Sequence, residues 1–203
     1  RMFFSRLRML FFAAAGLPKP VATRLYAICE RHCGERVGIY SGLGMTETAP
    51  FAIGAARIGE LAGAIGNPAP GVTLKLVPDN GKLEVRYRGP CVTPGYWRAP
   101  QLSAAAFDEE GYLRSGDAIR FLNRRDPSRG FVFDGRIAED FKLSTGTWVS
   151  VGPLRTLALM EGAPHVQDVV VTGHDRDEVG MLIFPRLDSC RQLAGLPPEA
   201  PAQ

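Results

Sequence analysis

The stretch Tyr40-Ser41-Gly42-Leu43-Gly44-Met45-Thr46-Glu47-Thr48 sets a hydroxyl beside a carboxylate after two glycines. Glycine lets a backbone come close to a ligand, a threonine hydroxyl can bond a phosphate oxygen, and a glutamate can hold a hard cation that neutralises phosphate charge. That is equipment for a nucleotide, although a glycine-flanked Thr-Glu pair also makes a turn followed by a helix cap. Two later segments supply complementary groups: Arg114-Ser115-Gly116-Asp117 and Phe133-Asp134-Gly135-Arg136-Ile137-Ala138-Glu139-Asp140-Phe141-Lys142. An ionised carboxylate only accepts hydrogen bonds, so Asp117 can receive two hydroxyls at once, and Arg136 adds a fixed positive charge. Ser-Gly-Asp is equally a common turn triplet.

Taken in this order, the three segments resemble the AMP-binding, acyl-adenylate-forming enzymes. The string from Gly135 to Leu154, with Lys142-Leu143-Ser144-Thr145-Gly146-Thr147-Trp148-Val149-Ser150-Val151-Gly152-Pro153, is most similar to feruloyl-CoA synthase and close aryl-CoA ligases. The resemblance runs from about Leu10 to about Leu196. It implies an ATP-dependent acid–thiol ligase that activates an aryl carboxylic acid, ferulate or a related hydroxycinnamate, as acyl-AMP and passes it to coenzyme A. ATP/AMP, Mg2+ and coenzyme A are then its ligands. The alternatives are a ligase for another aryl or fatty acid, delivery of the acyl group to a carrier protein, and a non-catalytic nucleotide-binding module.

Residue by residue, the resemblance implies that Thr46 touches phosphate and Glu47 helps to bind Mg2+, within a nucleotide-binding stretch that includes Gly42, Leu43, Gly44 and Met45. Asp117 would receive both ribose hydroxyls, Arg136 would make a second ribose or phosphate contact, and Lys142 matches a lysine seven places after Gly135. A solvated surface lysine is the equal alternative for Lys142. Leu43 stands where many relatives have an aromatic ring, so a contact there is apolar packing without stacking. The loop Ala13-Ala14-Ala15-Gly16 replaces the common Gly-Gly-Ala-Pro, with Ala15 and Gly16 as adenine and acyl contacts. Ala15, Gly42 and Pro50 could wall an aryl pocket, and Phe51 could equally be core. Relatives place an Asp or Lys hinge two residues after the arginine; Ala138 occupies that position, followed by Glu139 and Asp140. No Ser/Thr/Gly-rich phosphate loop and no C-terminal lysine region of the family type occur, so the expectation is an internal or truncated piece that does not turn over alone.

The elements that must position these residues follow from periodicity. Met9–Ala15 reads as a buried strand, Lys19–Cys33 as a helix and Val37–Tyr40 as a short strand delivering the glycine-rich turn, an α/β order that puts ligands at strand ends. From about Gly63 the period becomes two: Val72–Val77 and Lys82–Arg88 flank Pro78-Asp79-Asn80-Gly81, a hairpin signal, with Leu74, Leu76, Leu83, Val85 and Tyr87 on one buried face. Pro153–Glu161 reads as helix, Val166–Thr172 and Val179–Phe184 as strands, and Ala194–Gln203 as a loose tail. The expected fold class is mixed α/β. Residues 1–134 form the C-terminal part of a large domain (1–62 α/β, 63–134 a β-rich, barrel-like subdomain), 135–140 a hinge, and 141–203 the start of a small α/β domain.

Composition sets outer bounds. With 45% apolar and 22% charged residues the chain has an ordinary globular make-up, and a net charge of +3 from scattered basic residues argues against nucleic-acid binding. Cys29, Cys33, Cys91 and Cys190 lack the spacing of a zinc site or a disulfide scaffold, which points to packing thiols in a reduced, cytoplasmic setting. The basic-then-apolar start, Arg1 to Leu17, is too short for a membrane span, which needs roughly 20 residues. A buried strand leading into a ligand loop is the better account. Oligomeric state is not written in the sequence.

Overall fold

The computed structural model describes residues 3–13, 17, 19–58 and 64–197. In chain order they form β1 (Met9–Phe11), α1 (Lys19–Cys33), β2 (Gly38–Leu43), β3 (Ile53–Ile58), β4 (Ala64–Pro68), β5 (Thr73–Asp79), β6 (Lys82–Arg88), α2 (Pro100–Ala106), β7 (Leu113–Phe121), β8 (Phe131–Arg136), β9 (Phe141–Lys142), β10 (Trp148–Val149), α3 (Val151–Glu161), β11 (Val166–Thr172), β12 (Gly180–Pro185) and α4 (Leu187–Leu193). The chain divides into two compact units, Arg1–Ile137 and Ala138–Gln203. Among the described residues no helix is long and apolar enough to cross a membrane.

The first unit is built on one eight-stranded sheet in the order β1-β2-β3-β4-β8-β7-β6-β5. Only β1 and β2 pair in parallel; the other neighbours are antiparallel. The mixed α/β class is thus present, with the strands in linear order from β1 at one edge to β5 at the other. The sheet carries both the segment expected as α/β and the one expected as β-rich. Asn80 and Gly81 take φ of 47° and 82°, the left-handed pair of a tight two-residue hairpin, and they set the register Leu74↔Tyr87 and Leu76↔Val85. Those four residues do share a face: Val85 and Tyr87 are fully buried with Ile53 and Ile119, and Leu74 and Leu76 pack against them. Leu83 is half-buried and stays outside that cluster.

The opposite face of β6 is not the wet face that alternation suggests. Glu84 is buried, and Arg86 donates to it at 2.8 Å while its other arm reaches Asp108 at 3.1 Å. Lys75 of β5 donates to Asp108 at 3.0 Å and to Glu110 at 2.6 Å, and the amides of Tyr112 and Glu110 donate to Asp108 Oδ1 at 2.9 and 3.1 Å. Buried charge is tolerable only when paired and fully hydrogen-bonded, and this network meets that condition.

Several expected strands shift, among them Val72–Val77, which becomes Thr73–Asp79, and Val179–Phe184, which becomes Gly180–Pro185. The first strand of the chain ends at Phe11, with Ala15 beyond the described residues, and β2 runs to Leu43, so Gly42 and Leu43 lie in a strand rather than in the turn. In the second unit β11 spans the expected residues, α3 begins two residues early at Val151, and α4 forms just before the expected loose tail. Val149, Val169 and Val171 make its core with Phe141, Leu154 and Leu159 of its hairpin and helix.

Asp108 generates a pH prediction. Burial alone would raise its pKa, but the Tyr112 amide, Lys75 and Arg86 outweigh burial and hold it well below the usual carboxylate range. A depressed folded-state pKa contributes stability that is complete above the unfolded value, about 3.9, and is lost as pH falls toward the folded one. Urea unfolding from pH 7 down to pH 2 is expected to show a decline beginning near pH 4 that is shallower in Asp108→Asn; parallel declines would refute the assignment.

Candidate functional site

Asp117 owes its position to a break in the β6–β7 ladder. Glu84 pairs with Ala118 and Arg86 with Arg114, so Ser115, Gly116 and Asp117 bulge opposite Val85. Side chains replace the lost ladder bonds. Ser115 Oγ donates to the Val85 carbonyl at 2.5 Å, the Gly116 amide donates to Glu84 Oε1 at 3.2 Å, and the Asp117 amide donates to Ser115 Oγ at 3.0 Å. Gly116 has φ of 69°, which a residue with a Cβ adopts only under strain. The Ser-Gly-Asp triplet is therefore a bulge inside a strand.

On its other side Asp117 is in register with Arg136 of β8, whose Nε lies 3.2 Å from Asp117 Oδ1. Asp117 is 4% exposed and the Arg136 side chain 56%, so a buried acceptor faces a cation that is half in water. Burial pushes the neighbouring Tyr87 hydroxyl pKa up, and the charge on Asp117 adds to the rise. Tyr87 therefore stays neutral beside Asp117.

The glycine motif has a different local logic from the one its composition suggests. A Cβ on Gly44 would stand 2.2 Å from the Pro50 carbonyl oxygen, and one on Gly42 would stand 2.7 Å from the Ile53 carbonyl oxygen. The close approach that demands glycine is made by the chain's own return segment. Leu43 and Met45 are partly buried against the core that holds Val85, Tyr87 and Ile119. Thr46–Thr48 forms a single 3-10 turn held by Thr48, a residue missed by sequence reasoning: it is fully buried, accepts from the Met45 amide at 3.0 Å and donates to the Met45 carbonyl at 3.0 Å. Thr46 is left exposed and Glu47 half-buried.

Tyr96 was also not foreseen. Its hydroxyl donates to Glu47 Oε1 at 2.8 Å, and that bond raises the phenol's pKa. In the second unit, Lys142 is exposed on β9, its Nζ 5.1 Å from the ring of its cross-strand partner Trp148. Ala15 and Gly16 lie outside the described residues. The structure thus brings Asp117 together with Arg136, and Glu47 together with Tyr96.

The chain is similar in sequence and in fold to known proteins. Residues 2–97 match the family model of the AMP-binding enzyme. This stretch belongs to the AMP-binding enzyme family. It is 26% identical to the chloroplastic long-chain-fatty-acid–[acyl-carrier-protein] ligase AEE15 of Arabidopsis thaliana over 78% of the chain and 24% of that protein. With malonate–CoA ligase of the same plant it shares 28% over 86% of the chain and 28% of the relative. The fold matches that of the anthranilate CoA ligase AuaEII, solved with anthranoyl-AMP, at a TM-score of 0.66 and 24% identity, over 97% of this chain and 36% of that one. The chain thus spans about a quarter of the length of these two curated relatives.

Glu84 is the link between the buried charge network and the Asp117 bulge. Replacing its charged acceptor by a neutral one weakens the bonds to Arg86 and to the Gly116 amide by about 1 kcal/mol. Glu84→Gln is expected to speed hydrogen exchange at the Gly116 amide by roughly fivefold relative to amides of β11, measured by NMR. Equal exchange in both proteins would remove Glu84 from this role.

Proposed function

We propose that the chain is part of an ATP-dependent acid–thiol ligase: a carboxylate attacks the α-phosphate of ATP, pyrophosphate leaves, and the thiol of coenzyme A displaces AMP from the acyl-AMP. The observation that carries this reading is the seat of Asp117. Its backbone is fixed by the bulge and its charge is balanced by Arg136, which suits an acceptor-only group to receive two hydroxyls of one ribose. Preorganisation of this kind lets binding energy be spent on alignment for in-line attack rather than on ordering the site.

Thr46 is exposed at the start of its turn, where its hydroxyl can meet a phosphate oxygen. A magnesium ion carried by nucleotide phosphates needs only one or two protein carboxylates, and Glu47 offers one. No group of three or more His, Cys, Asp or Glu side chains that could hold a metal occurs among the described residues, so the donor set fits a cation that arrives with the nucleotide. Bound there, Mg2+ would offset phosphate charge as pyrophosphate departs. The division between Ile137 and Ala138 supports reading 135–140 as the hinge of a small domain that contains Lys142. A cytoplasmic setting belongs to the same reading, on the cysteine spacing alone.

The finer reading is an aryl acid, ferulate or a related hydroxycinnamate, supported by the likeness of the stretch from Gly135 to Leu154 to feruloyl-CoA synthase. Pyrophosphate–ATP exchange by the full-length protein separates the substrates. Ferulate is expected to give faster exchange than malonate or a long-chain fatty acid, and Asp117→Asn to raise the KM for ATP by roughly tenfold. Faster exchange with malonate or a fatty acid would replace the aryl reading, and no exchange with any acid would leave a nucleotide-binding module.

A further inference from the structure

The segment from Thr93 to Ser103 is tied to the Thr46–Thr48 turn at two points. The Thr93 amide donates to the Glu47 carbonyl at 2.8 Å, and the Tyr96 hydroxyl donates to the Glu47 carboxylate at 2.8 Å. Tyr96 is itself anchored. Its amide donates to Ser103 Oγ of α2 at 2.8 Å, Ser103 Oγ donates to the Ala99 carbonyl at 2.9 Å, and the Thr93 hydroxyl closes the turn by donating to the Gly95 carbonyl at 3.0 Å. A Cβ on Gly95 would come within 2.8 Å of Ser103 Oγ, so the close seat of the loop on α2 depends on that glycine.

These bonds form a chain from a helix to one carboxylate oxygen. Among the described residues Tyr96 is the hydrogen-bond partner of the Glu47 side chain. A glutamate left alone at a half-exposed position samples many rotamers, and fixing it when a ligand arrives has an entropic cost. A tyrosine has only two side-chain torsions, so a phenol held at its backbone by α2 can fix the carboxylate in advance. With Oε1 occupied by Tyr96, Oε2 remains for a cation or a phosphate-bound water.

We propose that Tyr96 is a positioning residue for Glu47, holding its carboxylate in the orientation that meets a divalent cation carried by the nucleotide. This rests on reading Glu47 as the cation-facing carboxylate of the ligase. Loss of such a supporting hydrogen bond weakens metal affinity by about tenfold.

The test uses Mn2+ as a paramagnetic probe, titrated by electron paramagnetic resonance into the full-length protein at saturating ATP. Tyr96→Phe keeps the ring and removes only the hydroxyl; it is expected to raise the Mn2+ dissociation constant about tenfold with an unchanged melting temperature. Ser103→Ala, which frees the Tyr96 amide, is expected to shift it in the same direction by less. Wild-type binding that Tyr96→Phe leaves unaltered would overturn the positioning role alone. Absence of ATP-dependent Mn2+ binding by the wild-type protein, or equal binding by Glu47→Gln, would overturn the role of Glu47 and this proposal with it.

Discussion

A carboxylate withdrawn from water is tolerable only when hydrogen bonds and charge replace its hydration, and the large unit is organised around meeting that condition at Asp117. Three residues bulge opposite one, a serine hydroxyl takes over a ladder acceptor, and a glutamate takes over an orphaned glycine amide. The arginine across β8 supplies the countercharge while staying half in water. Because the Arg136 end is exposed, its Coulombic contribution is screened; the local hydrogen bonds, which are not, dominate the orientation of the bulge.

That local geometry is coupled to the fold through a line of charges. Asp108 binds Arg86, Arg86 binds Glu84, and Glu84 binds the amide immediately before Asp117. The apolar face of β6 meanwhile packs Val85 and Tyr87 into the core on which Leu43 and Met45 also rest. One strand therefore carries both the core that supports the Thr-Glu turn and the polar network that shapes the aspartate bulge. β6 is thus the shared support of the turn and the bulge.

Much of this was legible in the sequence where local chemistry determines the outcome. The Asn-Gly hairpin took its expected register because two left-handed residues leave one compatible turn, and Val166–Thr172 formed a strand because its β-branched run has few alternatives. The family likeness named Asp117 and Arg136, and the structure pairs them. What was not legible depends on contacts distant in sequence. Glu84 and Arg86 look like the wet side of an alternating strand until Asp108 is seen to cover them, and Tyr96 lies 49 residues from the carboxylate it binds. Gly42 and Gly44 look like room for a ligand, yet the space beside them is filled by Pro50 and Ile53, because a glycine reports close approach without saying of what.

The central claim is that Asp117 is shaped to accept two vicinal hydroxyls. It is tested most directly by comparing the affinities of the full-length protein for ATP and for 2′,3′-dideoxy-ATP by calorimetry at one salt concentration. Two charge-assisted hydrogen bonds predict at least about tenfold tighter binding of ATP. Equal affinities would mean that the buried carboxylate serves the sheet alone and receives no ribose hydroxyl.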